Sequence, residues 1–339
     1  MNQPDTRTSR SQPVSVVIPA YNCSKTIRQA IESIMSQDYP GSVQIIVVDD
    51  GSTDDTPSLV QSFRSVEYVY QENSGPAQAR NKGASLARGQ LIAFIDSDCI
   101  PYSDWLSNLI AAFTSDDIGA VCGTYDIANP ESLLARCIQA EISYRHARFG
   151  SKDVRFFGSY NVCIPREVFI RSGGYNKGFR NASNEDNDLS YRILQLGLKI
   201  RFESKALVKH YHPEKIKKYL HEQYIHGFWR ARLYRTHPGM MKGDDYTFWK
   251  DILEPIGVLV SGMALLMVPY FGFVSFYICA YLILVLWGME IGFSFSMNRN
   301  PKASLWFAWI MFLRAVFRTL GFVYGFIIFL FSTPSQNPQ

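Results

Sequence analysis

Cysteine is scarce in this chain of 339 residues: the six, at positions 23, 99, 122, 137, 163 and 279, show no paired C-x-x-C spacing. Nor do they reach the density of a disulfide-stapled secreted scaffold, so they read as reduced and mostly core residues. Charge imbalance is also missing, since 34 basic and 30 acidic side chains leave a net charge of +4. No basic stripe with interleaved aromatics runs through the first 200 residues. Nucleic acid is therefore excluded as the partner. The opening MNQPDTRTSRSQP holds no apolar run of the signal-peptide kind, so the following domain is expected to stay in the cytosol, with residues 1–12 as a disordered tail. There is no internal repeat and no low-complexity segment. From Ile252 onward the charged residues themselves almost vanish, which marks a boundary between a water-soluble part and a membrane part.

Before that boundary the chain alternates. VSVVIPAYN (14–22) reads as a strand entering a polar turn, and KTIRQAIESIMSQ (25–37) places Ile27, Ile31 and Ile34 at helical spacing. A strand at 43–48 follows, then TPSLVQSFRS as a helix with Pro57 in its first turn, then the strand VEYVYQ (66–71). GPAQARNKGASLARG (75–89) is a helix closed by Gly89, and LIAFIDSD (91–98) is a buried strand ending in acids. This rhythm predicts an α/β fold with a parallel, doubly wound sheet. The middle is more mixed: a helix from Ser103 to about Phe113, a strand near 118–125, an amphipathic segment from about Glu131 to Arg148, and a helix over 184–197.

Acids gather where strands end. Asp49 and Asp50 close the run Ile45, Ile46, Val47, Val48, and Asp96 and Asp98 close another. The carboxyl ends of strands are where open α/β sheets bind ligands, so two acidic strand ends make one acidic crevice. Asp96 and Asp98 stand about 7 Å apart along a regular strand. A turn there brings both onto a hard divalent cation whose other ligands are water and substrate phosphates.

Five segments in order, VSVVIPAYN, IIVVDDGSTDDT, ENSGPAQARNKG, FIDSD and NEDNDLSYRILQLG, resemble the family 2 inverting glycosyltransferases with the GT-A fold. The resemblance covers about residues 13–213. It implies that Pro19, Ala20, Tyr21 and Asn22 lie against the base and ribose of a nucleotide-sugar donor, most readily a UDP-sugar. Asp50 would hydrogen-bond the base and Asp49 would support that loop. Gly75 and Arg80 belong to the stretch near the diphosphate or base. Asp98 would be the main ligand of Mg²⁺ or Mn²⁺, with Asp96 on ribose or metal. Asp186 matches the general base, with Glu185 beside it, and Asn161 with Gly173 and Gly174 matches the acceptor side. His210 and His212 resemble the histidine that adds a further metal ligand. His212 is taken because the residue before Pro213 is held extended.

The Q-x-x-R-W signature of processive members is absent, since Gln223 is followed by Tyr224, Ile225, His226, Gly227, Phe228 and Trp229. Single-sugar transfer fits better than a polymerase. A silent nucleotide-sugar-binding scaffold would tolerate loss of Asp186, and a transporter would carry more ionisable residues in its spans than Glu290, Arg314 and Arg318. Lys215, Lys217, Lys218, Arg230, Arg232, Arg235, Lys242 and Lys250 suit anionic headgroups, so 214–250 is expected to form amphipathic interfacial helices. Trp229, Tyr234, Tyr246, Trp249 and Tyr270 suit an interfacial belt. Residues 251–333 are then a membrane region of two or three helices, from 252–271, 273–297 and 304–332, with the loop NRNPK (298–302) on the catalytic side. The expectation is a multi-pass inner or plasma membrane protein with a cytoplasmic catalytic domain and a lipid-linked or other membrane-borne acceptor. No oligomeric state follows from the sequence.

Overall fold

The computed structural model describes residues 11–149, 152–181, 183–243, 245, 247–297 and 300–331. Residues 1–10 of the expected tail, Tyr246 of the belt, Asn298 and Arg299 of the basic loop, and positions 332 and 333 lie outside the described residues.

In chain order the elements are β1 (Val14–Ala20), α1 (Ile27–Met35), β2 (Val43–Asp49), α2 (Thr56–Gln61), β3 (Val66–Tyr70), α3 (Pro76–Leu86), β4 (Leu91–Ile95) and β5 (Cys99–Pro101). There follow α4 (Trp105–Ala111), β6 (Ile118–Ile127), α5 (Leu133–His146), β7 (Asp153–Val154), β8 (Asn161–Pro165), α6 (Arg166–Arg171), α7 (Glu185–Gln195) and β9 (Lys199–His210). The C-terminal part holds α8 (Ile216–Thr236), α9 (Trp249–Leu266), α10 (Val268–Phe271), α11 (Phe273–Met297) and α12 (Pro301–Phe331).

The chain divides into two units: residues 1–128 with 146–211, and residues 129–145 with 212–339. The sequence expectation drew one boundary at 213 and kept the 131–148 segment in the first domain. That segment goes largely to the second unit because Leu134, Cys137 and Ile138 of α5 bury against Tyr219, Leu220, Phe307, Ile310 and Met311. Each such apolar side chain removed from water contributes about 1.5–3 kcal/mol, enough to decide where an amphipathic helix packs.

In the first unit one sheet runs β3-β2-β1-β4-β8-β6-β9-β5, with β7 on β9. The strands β3, β2, β1 and β4 are mutually parallel. β8 runs antiparallel to β4 and β6, whereas β6 and β9 are parallel. The sheet is therefore mixed, mostly parallel, as the alternating pattern predicts for its first half. Val16, Val17 and Ile18 of β1 and Ile46, Val47 and Val48 of β2 are fully buried, which is why these strands read as continuous apolar runs. Ile27, Ile31 and Ile34 line the buried face of α1 at the expected spacing. The chain winds outward from β1 to β3 and then returns to β4 on the other side of β1. The switch point thus falls between the carboxyl ends of β1 and β4, where the Pro19 to Asn22 turn and Asp96 begin.

In the second unit, two helices among the described residues are long and apolar enough to cross a membrane, Phe273–Met297 and Pro301–Phe331. The 252–271 segment does not form a third of this kind, because α9 begins at Trp249 with Lys250, Asp251 and Glu254 in its first two turns and ends at Leu266. The two arginines of the last segment do not break it. Arg314 is 3% exposed and Nη1 donates to Glu141 Oε1 at 2.8 Å and Oε2 at 2.6 Å, while Arg318 Nη2 donates to Gln223. Glu290 has the partner it requires in Lys250, whose Nζ lies 3.1 Å from Oε2. α8 packs on α12 with glycines at the crossing, since a Cβ on Gly227 would strike the Arg318 carbonyl and one on Gly321 the Tyr224 carbonyl. α8 thus packs against α12 within this unit.

Candidate active site

β1 and β2 end side by side, with Ala20 paired to Asp49. Asp50 N–H then donates to Ala20 O at 2.8 Å, which locks the two exit loops together. Asn22 sits at φ 47°, a left-handed conformation that asparagine tolerates better than most residues. Its N–H donates to Ser52 Oγ at 3.0 Å and its Oδ1 accepts from Thr53 N–H at 2.8 Å. Tyr21 is half exposed beside it.

The two aspartates after β2 do different work. Asp49 is fully buried, with Oδ1 accepting from Ser52 N–H at 2.8 Å and Oδ2 from Tyr68 Oη–H at 2.7 Å. Asp50 accepts from Gln71 Nε2 at 2.7 Å, Ser74 N–H at 2.8 Å and Gly75 N–H at 2.8 Å. It therefore ties the loop before α3 to the end of β2. Gly75 adopts φ 91°, and a Cβ there would collide with the Arg180 carbonyl.

Arg80 joins three of the quoted segments. It is 2% exposed, and Nη2 donates to Asp96 Oδ1 at 2.7 Å while Nη1 donates to Glu185 Oε1 at 2.8 Å. Its guanidinium also lies 5.4 Å from the Tyr175 ring centroid. One cation thus holds the carboxylate at the end of β4 and the first carboxylate of α7. Glu185 is nevertheless pushed up from its ordinary range, by burial first and by the charge of Asp186 second, with Arg80 opposing. Arg80 Nε and Glu185 Oε2 find no hydrogen-bond partner among the described residues. Asn184, which precedes α7, is left-handed at φ 66°. Such a conformation turns the chain sharply and leaves Asp186 half buried rather than sealed beside Glu185.

Asp98 follows as the chain enters β5, with its side chain 42% exposed. β5 pairs antiparallel with the end of β9, and Cys99 stands opposite His210. His210 Nε2 lies 3.5 Å from Asp98 Oδ1. The ligand atoms of Asp98, Cys99 and His210 all lie within 4.8 Å of one another, a donor set that fits a divalent cation. His212, the histidine chosen from the sequence, is held elsewhere: its Nε2 is 2.9 Å from Gln139 Oε1 and its N–H donates to Asn129 Oδ1 at 3.0 Å, all in the second unit. The extended backbone before Pro213 says nothing about ring direction, whereas the β5–β9 register does. That register is invisible in KALVKHYH, so His210 replaces His212 as the candidate.

Other residues enter that sequence reasoning passed over. Asn81, next to Arg80, donates through Nδ2 to Tyr175 O at 2.7 Å and accepts at Oδ1 from Tyr175 N–H at 2.8 Å, pinning the Gly173-Gly174-Tyr175 turn to α3. Tyr125 stacks on Tyr160 with centroids 3.6 Å apart and lies 4.9 Å from the His210 ring. No local pattern announces that pair. Asn161, which the resemblance assigned to the acceptor side, is fully buried, accepting from Trp105 Nε1 and donating to the Thr124 and Ala206 carbonyls, so it braces strands from inside.

Residues 15–176 match the family described as Glycosyl transferase family 2. A pre-mycofactocin glycosyltransferase of Mycobacterium tuberculosis is 28% identical over 272 residues, covering 75% of this chain and 55% of that protein. A validoxylamine A glucosyltransferase of Streptomyces hygroscopicus subsp. limoneus is 30% identical over 226 residues, covering 56% and 50%. The chain spans about half the length of these curated relatives. Among solved structures, mannosyltransferase PcManGT from Pyrobaculum calidifontis, in complex with GDP-Man and Mn²⁺, superposes with a TM-score of 0.60 at 18% identity. That likeness covers 94% of this chain and 88% of the other, and it is one of fold. Residues 15–176, from β1 through α6, thus match a glycosyl transferase family 2 domain, set in a mostly parallel sheet of GT-A architecture.

Proposed function

We propose that the protein is a membrane-associated inverting glycosyltransferase that moves one sugar from a nucleotide-sugar donor in the cytosol to a lipid-linked or other membrane-borne acceptor. The observation that carries this reading is Arg80, which gathers Asp96 and Glu185 into one cluster beside the half-buried Asp186. An arginine that bridges two carboxylates holds Asp96, at the end of β4, beside the start of α7.

In this reading the Pro19 to Asn22 turn and Asp50 hold the nucleoside, Asp96 faces the ribose or the ion, and Asp98 with His210 would hold Mg²⁺ or Mn²⁺. When bound, the ion offsets the charge of the departing diphosphate. Asp186 accepts the proton of the acceptor hydroxyl as that oxygen bonds to the anomeric carbon. The bond from that carbon to the diphosphate oxygen breaks, and its electron pair leaves with the diphosphate. Attack opposite the leaving group converts an α-linked donor into a β-linked product. Glu185, held buried by Arg80, keeps the start of α7 in place and is not itself the base. The two apolar helices support a membrane setting, where an acceptor confined to the bilayer meets a tethered site more often than a free one.

The test is sugar incorporation into a membrane lipid extract from a panel of UDP-, GDP- and TDP-sugars with Mg²⁺ or Mn²⁺. Asp186→Asn is expected to lower the rate about 10²–10⁴-fold while leaving donor binding intact. Equal rates in the two proteins would remove Asp186 as the base.

A further inference from the structure

We infer that Cys99 supplies a sulfur ligand to the ion held by Asp98 and His210, so that the site selects borderline ions such as Co²⁺ or Zn²⁺ over Mg²⁺. The inference rests on the proposed function only in placing an ion at Asp98. Its basis is the sheet register. Cys99 and His210 are directly opposed across the antiparallel β5–β9 pair, so both side chains leave the same face. Asp98 precedes Cys99, and its carbonyl accepts from Tyr211 N–H at 3.2 Å, while Cys99 N–H donates to Asp96 O at 3.1 Å. The backbone on both sides of the three ligands is therefore fixed.

The spacing suits a small ion. Cys99 Sγ lies 3.9 Å and His210 Nε2 3.5 Å from Asp98 Oδ1. Ligands at about 2.0–2.3 Å from a tetrahedral centre stand roughly 3.5 Å apart, so the triad needs only small movements to close on one. Among the described residues no other group of three potential ligands from His, Cys, Asp and Glu meets in this way. Cys122, Cys137, Cys163 and Cys279 are buried without such company. On binding, the thiol proton passes to solvent and the sulfur–metal bond forms in its place. A mixed O, N and S donor set disfavours Mg²⁺, which prefers oxygen ligands in octahedral geometry.

The full chain, purified in detergent, is titrated with Co²⁺ alone and its near-ultraviolet absorption recorded. A sulfur-to-cobalt charge-transfer band is expected in the wild type and in Cys163→Ser. Cys99→Ser and Cys99→Ala should lose it, and should bind Co²⁺ more weakly by on the order of 10–100-fold with Mg²⁺ affinity unchanged. Should both Cys99 variants fail to fold, a chain with the other five cysteines replaced by serine must retain the band. Absence of Co²⁺ binding, binding without the band, or a band that survives Cys99→Ser overturns the inference. A parallel titration with UDP- and GDP-sugars separates the two claims. Ion-dependent donor binding without the band removes the sulfur ligand and leaves the transferase, whereas the band without donor binding leaves a metal site and removes the transferase.

Discussion

Arg80 carries one positive charge and faces two carboxylates, with a third, Asp186, next in sequence to one of them. The local excess is negative, and burial adds to the cost of ionising Glu185, so its carboxyl is raised. The sign of the consequence follows from proton counting. Between the ordinary glutamate range and the raised value, the folded protein holds a proton that the unfolded chain has released. Stability contributed in this way is present at low pH and declines as pH rises through that window. Melting temperatures measured between pH about 5 and about 8 should therefore fall with pH, and Glu185→Gln, which keeps an oxygen for Arg80, should flatten the slope. An unchanged slope in the variant would show that Glu185 is ionised throughout. Asp49, Asp50, Asp96 and Asp98 are legible in the sequence because a carboxylate directly after a β-branched run has to mark a strand end. The pairing of Arg80 with both Asp96 and Glu185 is not legible, since it spans 105 residues and depends on how α3 and α7 meet β4.

Among the elements, two glycine turns differ in how closely the chain packs around them. Gly75 and Gly197 both adopt positive φ, at 91° and 77°, but their surroundings differ. A Cβ on Gly75 would meet the backbone of Arg180, whereas nothing lies within 4 Å of one on Gly197. Gly197→Ala should cost about 1 kcal/mol for the left-handed backbone alone, and Gly75→Ala about 2–4 kcal/mol because a backbone carbonyl must also move. Denaturant titration of the two variants in one detergent checks the difference, and equal losses would mean that the Arg180 segment yields freely. Element types were accessible from periodicity where a helix is amphipathic, as in α1, or a strand is buried on both faces, as in β1, β2 and β4. The 12-residue β9 is hard to read from periodicity, because KIRFESKALVKH interrupts its apolar residues with charge and its partners β6 and β5 are remote in sequence. The β5–β9 register, which sets His210 beside Asp98 and Cys99, is therefore not legible in the chain alone.

At the scale of the molecule, a family 2 glycosyltransferase domain is joined in one chain to two helices of membrane-crossing length and composition. The apolar run after Ile252 makes that second part legible, but its inner chemistry is not. Glu141 and Arg145 of α5, Asp251 of α9 and Arg314 of α12 come from three separate stretches and pack together, with Arg145 donating to both Glu141 and Asp251. Burial by itself would raise the Glu141 carboxyl, yet Arg314 and Arg145 hold it well below the usual range. Two of the charges that look costly in a hydropathy reading, Arg314 and Glu290, thus meet an opposite charge inside the unit. The proposed ion-dependent nucleotide-sugar site at the β1–β4 crevice is open to calorimetric titration of UDP-, GDP- and TDP-sugars, with and without Mn²⁺, into wild type and Asp98→Asn. The prediction is that one donor binds the wild type tightly only with the ion, and that Asp98→Asn loses this dependence. No binding across the panel, or binding indifferent to both the ion and Asp98, would contradict it.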